Sequence, residues 1–348
     1  MKAKKNILIT GVGGRSVGSG ILHSLLRSES VSKNQWNIFV SDADTFSWGL
    51  YLTPNRIITP LANTPGYIEF MANHILQNKI DAVIPGTEIE TEILLKNSRN
   101  IPCPIIANSV ELIPLMMDKF LAEKKLRELN LDYIETLPLA SWKTIVNKYG
   151  FPVIVKPTRG TGASRGLNLI INQEELDSIL NSYDKTSYPC IQPYLGTEEG
   201  EYTVGVLSDK AGAIIDSIVL KRKLVGLSLL QSKKNKRKSF AISTGYSQGY
   251  FVKDEQIQSF CETLAMKLKS KGPLNIQLRK HENKIYVFEI HPRFSGTTTF
   301  RADVGFNEPD ILLQNRLNDK KFARLNYRYD VACIRAFEHI IVPMHQML

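Results

Sequence analysis

Glu289, His291 and Arg293 alternate along IYVFEIHPRFSG, residues 285–296 of a 348-residue chain. With the two-residue period of a strand their side chains leave one face, so an acid, a candidate metal ligand and a cation converge on one small volume. The run LNIQLRK (274–280) reads as a partner strand, and a turn centred near Asn283 sets Gln277 opposite Glu289. Oxygen ligands from two neighbouring strands suit Mg²⁺, which binds one or two carboxylates and takes its other positions from water and nucleotide phosphates. A buried ion pair between Glu289 and Arg293 is the plainer alternative.

The second stretch is FPVIVKPTRGTGASRG, residues 151–166. Phe151 to Val155 is a short apolar, β-branched run that delivers Lys156 to the end of a strand. Gly160, Gly162 and Gly166 let the backbone approach a ligand closely, while Arg159, Thr161, Ser164 and Arg165 supply donors suited to phosphate oxygens. A P-loop would place the lysine after the glycines and open a helix, whereas here LNLII (167–171) reads as another strand. The unit is strand, glycine loop, strand: a flap over a nucleotide. Alone, it reads better as a glycine-rich hairpin with solvated arginines.

Four motifs stand in order along the chain: Asp118-Lys119, Lys156 with its glycine loop, Gly200-Glu201-Tyr202-Thr203-Val204, and Glu289-Ile290-His291-Pro292-Arg293. In this the sequence resembles the ATP-grasp superfamily, in the branch similar to the large chain of carbamoyl phosphate synthetase. The departures are His291, where that family usually has asparagine, and Gln277, where many members have an acid. The resemblance implies an α/β and α+β chain with the ATP-grasp fold: a Rossmann-like pre-ATP-grasp domain (1–110), an ATP-grasp N-terminal part with a small lid (111–195), and a C-terminal antiparallel-sheet domain bearing the metal site (196–348). It also implies that Lys119 and Lys156 contact nucleotide phosphates, that Gln192 to Leu195, Tyr194 included, form the adenine hinge, and that Glu201 accepts from ribose hydroxyls. Glu201 as an exposed strand-edge glutamate is the competing reading.

The elements that must position these residues are legible in outline. Asn6 to Thr10 is a strand leading into GVGGRSVGSG and a helix, but the GxGxxG register from Gly11 puts Ser16 where the last glycine belongs, and Asp42 or Asp44 is only a loose ribose acid. A second βα unit at IDAVIPGTEIETEILL places Thr87 and Glu88 at the ligand-binding edge of an open sheet, as candidate substrate contacts. Glu88, Glu90 and Glu92 also suit a solvated helix start. SVELIPLMMDKFLAEKKLRELNL has helical spacing throughout, with Asp118 and Lys119 inside it. From Glu201 onward, strands EYTVGVL, AIIDSIVL, NIQLR and IYVFEI predict an antiparallel sheet with packed helices. Arg222 follows the second of these and reaches phosphate or a substrate carboxylate, unless it belongs to a solvated edge with Lys221 and Lys223.

Composition excludes several classes. Hydrophobic residues make up 43% and charged residues 22%, an ordinary globular balance. No stretch reads as a membrane span or secretory signal. The 4 cysteines are far apart with no CxxC spacing, which argues against a disulfide framework or zinc knot and for a reducing cytoplasm. Much of the +10 charge is local to Lys233, Lys234, Lys236, Arg237 and Lys238, read as a mobile solvated loop, and no nucleic-acid motif accompanies it.

The activity implied by the resemblance is carboxylate activation: a carboxylate attacks the γ-phosphate of ATP, and an amine captures the acyl phosphate. Lys156 and Arg293 are the candidate catalytic residues, and Gln277, Glu289 and His291 the candidate metal ligands, for Mg²⁺ or, with an imidazole present, Mn²⁺. Small-molecule carboxylate and amine are the expected partners, and a homodimer is left open. Carbamoyl phosphate formation, a non-catalytic nucleotide-binding module and, on GVGGRSVG alone, a nicotinamide-dependent oxidoreductase are the competing functions. No nucleophile elbow supports a serine hydrolase.

Overall fold

A computed structural model describes residues 4–14, 16–159, 166–183, 188–235 and 238–348. Gly160, Thr161, Gly162, Ser164 and Arg165 of the predicted flap, and Lys236 and Arg237 of the basic run, lie outside the described residues.

The first sheet is parallel, with β1 (Lys5–Thr10), β2 (Trp36–Asp42), β3 (Arg56–Ile58) and β4 (Ile80–Ile84) in the order β3-β2-β1-β4. Helices α1 (Val17–Leu26), α2 (Glu29–Ser32) and α3 (Tyr67–Gln77) link the strands, and α4 (Glu88–Lys96) follows β4. Ile7, Leu8 and Ile9 are fully buried, as a parallel strand covered on both faces requires. Glycine in the loop after β4 serves close packing against the opening loop: a Cβ on Gly86 would lie 2.0 Å from the Thr10 carbonyl oxygen and 2.6 Å from Gly18 Cα. Ser16, the residue that spoils the dinucleotide fingerprint, instead caps α1 by accepting from Ser19 N–H.

The long helix expected around Asp118 is two helices, α5 (Ile113–Met117) and α6 (Lys119–Glu128). Asp118 has extended backbone (φ −142°, ψ 117°), and its carboxylate accepts from the Phe120 and Leu121 N–H groups. Aspartate competes for backbone donors, so it starts a helix more readily than it continues one. Lys119 is thereby fixed at the first turn of α6.

A smaller sheet follows, built from β5 (Leu137–Pro138), β6 (Val153–Pro157), β7 (Asn168–Ile170) and β8 (Pro189–Pro193) in the order β5-β8-β6-β7, with α7 (Trp142–Tyr149) and α8 (Gln173–Ser182) packed on it. The largest sheet takes β9 (Glu201–Ser208), β10 (Ile214–Arg222), β13 (Gly249–Val252), β14 (Pro273–His281), β15 (Lys284–His291) and β16 (Val331–Cys333), ordered β15-β14-β9-β10-β13-β16 with every neighbour antiparallel. Helix α9 (Glu255–Lys267) covers one face. On the other, Leu207, Ile218, Leu220 and Phe251 share one core with Ile7, Ile9, Ile21 and Leu22 of the first sheet and with Leu312 of α11 (Glu308–Asn318), which follows α10 (Thr298–Asp303).

The basic run is not a free loop in its described part. Lys233 and Lys234 lie on β11 (Leu229–Asn235) and Lys238 opens β12 (Lys238–Ser243), a two-stranded hairpin. It packs on the smaller sheet: Phe240 and Ile242 cluster with Ile154 and Leu169, Gln231 Oε1 accepts from Leu169 N–H at 3.1 Å, and Lys233 pairs with Glu175 at 2.8 Å. Phe240 and Ile242, two positions apart on β12, supply the buried face that a solvated loop would lack. Among the described residues no helix is long and apolar enough to cross a membrane.

Candidate active site

The β14–β15 ladder sets the chemistry. Gln277 pairs directly with Glu289 across the ladder, as the turn near Asn283 predicts, and its amide Nε2 donates to Glu289 Oε2 at 2.7 Å. His291 follows two positions on, with Nε2 3.2 Å from the same carboxylate oxygen and Nδ1 3.6 Å from Glu88 Oε1. Arg293 lies just past β15 and donates from Nη2 to Glu88 Oε1 at 2.6 Å. The acid, imidazole and guanidinium do converge, and Glu88 of α4 completes the group. Arg293 is held by Glu88 rather than by Glu289, so the simple internal ion pair is not what the structure contains.

Thr87 is the N-cap of α4: its hydroxyl accepts from Glu90 N–H and donates to Glu90 Oε2 at 2.8 Å. Glu88 then occupies the first helical position, where the helix dipole favours a carboxylate. Burial opposes its charge, but Arg293 and then His291 outweigh this and hold the carboxyl below its ordinary range. Glu90 is not a solvating residue of the helix start. It is 7% exposed, and burial pushes its carboxyl up.

Two lysines face Glu289. Lys156 is 7% exposed on β6, paired in register with Cys190. Burial, then the Lys119 charge, lowers its pKa below the usual lysine range. Lys119 is half-buried, with Nζ 3.4 Å from the Thr158 carbonyl oxygen. Arg159 ties the start of the glycine loop to the α6 cap by donating from Nε to Asp118 Oδ2 at 2.9 Å. Burial alone would raise the Glu289 pKa; the His291 charge and hydrogen bond, with Lys156 and Lys119, reverse the sign and hold it well below the carboxylate range. Two ammonium groups beside a carboxylate kept ionised are an arrangement that suits a polyphosphate accompanied by a cation.

Glu201 is not the exposed glutamate of the competing reading. It is 3% exposed, not a strand-edge residue in solvent, and each of its oxygens holds an arginine: Arg222 Nη1 donates to Oε1 at 2.9 Å and Arg279 Nη2 to Oε2 at 2.8 Å. The reason is register. Arg279 stands directly opposite Glu201 on β14, and Arg222 ends β10 on its other side. Arg222 is therefore no solvated edge; it is 4% exposed and also reaches the Thr244 carbonyl oxygen at 2.9 Å and Gln277 Oε1 at 3.4 Å. Arg279 is absent from the sequence-derived candidates, although its two-residue offset from Gln277 was a usable signal.

The residues expected to form the hinge, Gln192 to Leu195, sit where β8 ends. Gln192 lies inside β8 and donates to the Thr136 hydroxyl at 2.7 Å. Tyr194 is buried and hydroxyl-bonded to the Ala241 carbonyl oxygen at 2.8 Å, while Leu195 is half-buried.

For a metal, the protein donors at Glu289 are one carboxylate, the Gln277 amide and the His291 imidazole, whose Nδ1 is buried without a hydrogen-bond partner. Among the described residues no group of three or more His, Cys, Asp and Glu side chains forms a metal cage. The set fits a hard cation completed by phosphate oxygens and water, and does not fit a cage made of protein alone.

Residues 190–337 match a family described as ATP-grasp in the biosynthetic pathway with Ter operon. The carbamoyl phosphate synthase large chain of Methanosarcina barkeri is 24% identical over 318 residues, which cover 85% of this chain and 28% of that protein. The chain thus spans little more than a quarter of that relative's length. Among solved structures, N5-carboxyaminoimidazole synthetase from Staphylococcus aureus complexed with ADP superposes with a TM-score of 0.66 at 15% identity, covering 94% of this chain and 81% of that one. The L-amino acid ligase from Bacillus licheniformis gives 0.63 at 15% identity, with coverage of 91% and 75%. With the four motifs placed on one parallel sheet, one small sheet and one antiparallel sheet, the chain has the fold of the ATP-grasp ligases, and its residues 190–337 match an ATP-grasp family.

Proposed function

We propose that the chain is an ATP-dependent carboxylate–amine ligase acting on small molecules through an acyl phosphate. The observation that carries this reading is that Glu289 is kept ionised beside His291, Lys156 and Lys119, while His291 also adjoins the Glu88–Arg293 pair. In this reading residues 1–110 form one wall, 111–195 the ATP-grasp N-terminal part with its lid, and 196–348 the body of the site.

The substrate carboxylate attacks the γ-phosphorus, the bond to the bridging oxygen breaks, and ADP leaves. The amine then attacks the acyl carbon, inorganic phosphate leaves, and the amine's proton passes to solvent. No side-chain nucleophile takes part. Lys119 and Lys156 hold the phosphate chain, Arg293 stabilises charge on the acyl phosphate, and Glu88 aims Arg293 while lying with Thr87 on the substrate side. Gly160, Thr161, Gly162 and Ser164 are assigned to phosphate contact on sequence grounds alone. Glu289, with Gln277 and His291, would hold Mg²⁺. When bound, the cation neutralises phosphate charge. Thiols that are all free, Cys103, Cys190, Cys261 and Cys333, are compatible with a cytoplasmic setting.

The test is a matrix of carboxylates and amines scored for ADP release with ATP and Mg²⁺. A pair-dependent signal supports the ligase reading, and release unaffected by any pair counts against it. Carbamoyl phosphate formation, the second reading, is carried by the sequence similarity to the large chains. It predicts carbamoyl phosphate as the product.

A further inference from the structure

Arg279 takes no part in the chemistry above, yet its side chain is almost wholly buried and its guanidinium meets three separate segments, β9, the connection from β8 to β9, and β12. Besides Glu201 on β9, it donates from Nη1 to the Thr197 carbonyl oxygen at 2.9 Å and from Nη2 to the Ala241 carbonyl oxygen of β12 at 3.3 Å. Its planar group lies over the Tyr194 ring, 4.0 Å from the centroid. Tyr194 is tied to the same strand, donating its hydroxyl hydrogen to the Ala241 carbonyl and accepting from Ala241 N–H at 3.2 Å. Phe240 meets the Tyr194 ring edge-on at 5.4 Å between centroids.

Neutralising Glu201 would require one cation, which Arg222 already supplies at the other oxygen. The remaining donors of Arg279 go to carbonyls outside the strand ladder of β14. One lies in the connection from β8 to β9 and the other on the inserted hairpin, two segments that no shared sheet holds in register. A guanidinium can do this because its donors are spread in a rigid plane whose face also stacks on an aromatic ring; an ammonium has no such face.

We propose that Arg279 is a positioning residue for nucleotide: it fixes the Tyr194–Thr197 backbone against β12, and so sets the groove that takes the base and sugar of an adenine nucleotide. This rests on the nucleotide-binding reading given above. Phosphate contacts by Lys119 and Lys156 are independent of it.

Isothermal titration of wild type, Arg279→Lys and Arg279→Met with ATP and with inorganic tripolyphosphate, which lacks base and sugar, separates the two parts of the site. Arg279→Lys keeps a cation opposite Glu201. Its melting temperature should stay near wild type, its Kd for ATP should rise on the order of ten-fold, the loss of one good charged hydrogen bond, and its Kd for tripolyphosphate should not change. Arg279→Met should show the same selectivity with a larger loss. Unchanged ATP affinity in Arg279→Lys overturns the inference, as does equal weakening of both ligands. Absence of ATP binding by wild type would instead overturn the nucleotide reading, and the inference with it. Should both variants unfold, hydrogen exchange of wild type decides: amides of 194–197 and 239–242 should slow together on adding ADP, and slowing of only one segment, or neither, overturns the inference.

Discussion

Glu88 and Arg293 are 205 positions apart in sequence, and an oxygen of one lies 2.6 Å from a nitrogen of the other. The contact joins the first turn of a helix that follows the parallel sheet to the segment leaving the antiparallel sheet, so both halves of the fold supply one edge of the site. Arg293→Ala should lower ADP formation by roughly 10²–10³-fold, the usual cost of removing one preorganised donor from developing charge, while ATP affinity stays within about two-fold. Initial rates and calorimetry on the same preparations check this. A matching loss of ATP affinity would place Arg293 on the nucleotide instead.

The buried Arg222–Glu201–Arg279 triad makes a prediction about stability. Glu201→Gln leaves two buried guanidinium groups short of a counter-charge and should cost about 3–5 kcal/mol in urea unfolding. Burial works against the Glu201 carboxylate, but Arg222 and then Arg279 overcome it and hold the folded-state pKa below the ordinary value. A group depressed in this way contributes stability above its unfolded pKa, about 4.3 for glutamate, and loses it as pH falls toward the folded pKa. The gap between wild type and Glu201→Gln should therefore be full at neutral pH and narrow below about pH 4. A gap that widens with acid would reverse the sign and refute the assignment.

How much of this was readable in advance follows from which forces act locally. The period-two spacing of Glu289 and His291, and the register of Gln277 opposite Glu289, follow from strand geometry and one tight turn, so both were legible. The break at Asp118 was not read from the apolar pattern, because the apolar stripe continues past it and only the capping preference of aspartate marks the boundary. Glu201, Arg222 and Arg279 meet through three adjacent strands, β14, β9 and β10, with separate connections. No local spacing reveals that the acid is closed between two bases. Likewise Lys233 and Lys234 look like solvated charge until β11 is seen packed on the smaller sheet.

Asp118 carries two loads, the cap of α6 and the ion pair with Arg159. Asp118→Ala should cost about 1 kcal/mol through the lost cap alone. Arg159 is well exposed, so its pair with Asp118 should add little. Because Lys119 is the next residue, ATP affinity should also fall. A double-mutant cycle with Arg159→Ala measures the second contribution, and a coupling above about 1 kcal/mol would contradict its assignment as a weak, exposed pair.

His291 sits between two carboxylates, one from each part of the fold. Imidazole favours softer metals than Mg²⁺, whereas an amide oxygen is a hard ligand. His291→Asn should therefore raise activity in Mg²⁺ relative to Mn²⁺, read as a ratio of initial rates with a verified substrate pair. An unchanged ratio would show that His291 does not touch the cation.

Lys156 tests the central claim most directly. It is buried beside Glu289 and Lys119, at the point where the phosphate chain is assigned, and methionine can fill its space without its charge. In calorimetric titration with ATP and Mg²⁺, Lys156→Met should bind at least on the order of ten-fold more weakly than wild type, from loss of one charged contact, and should form no measurable ADP with a substrate pair that wild type turns over. A folded Lys156→Met variant with wild-type ATP affinity and undiminished ADP formation would contradict the assignment of this site.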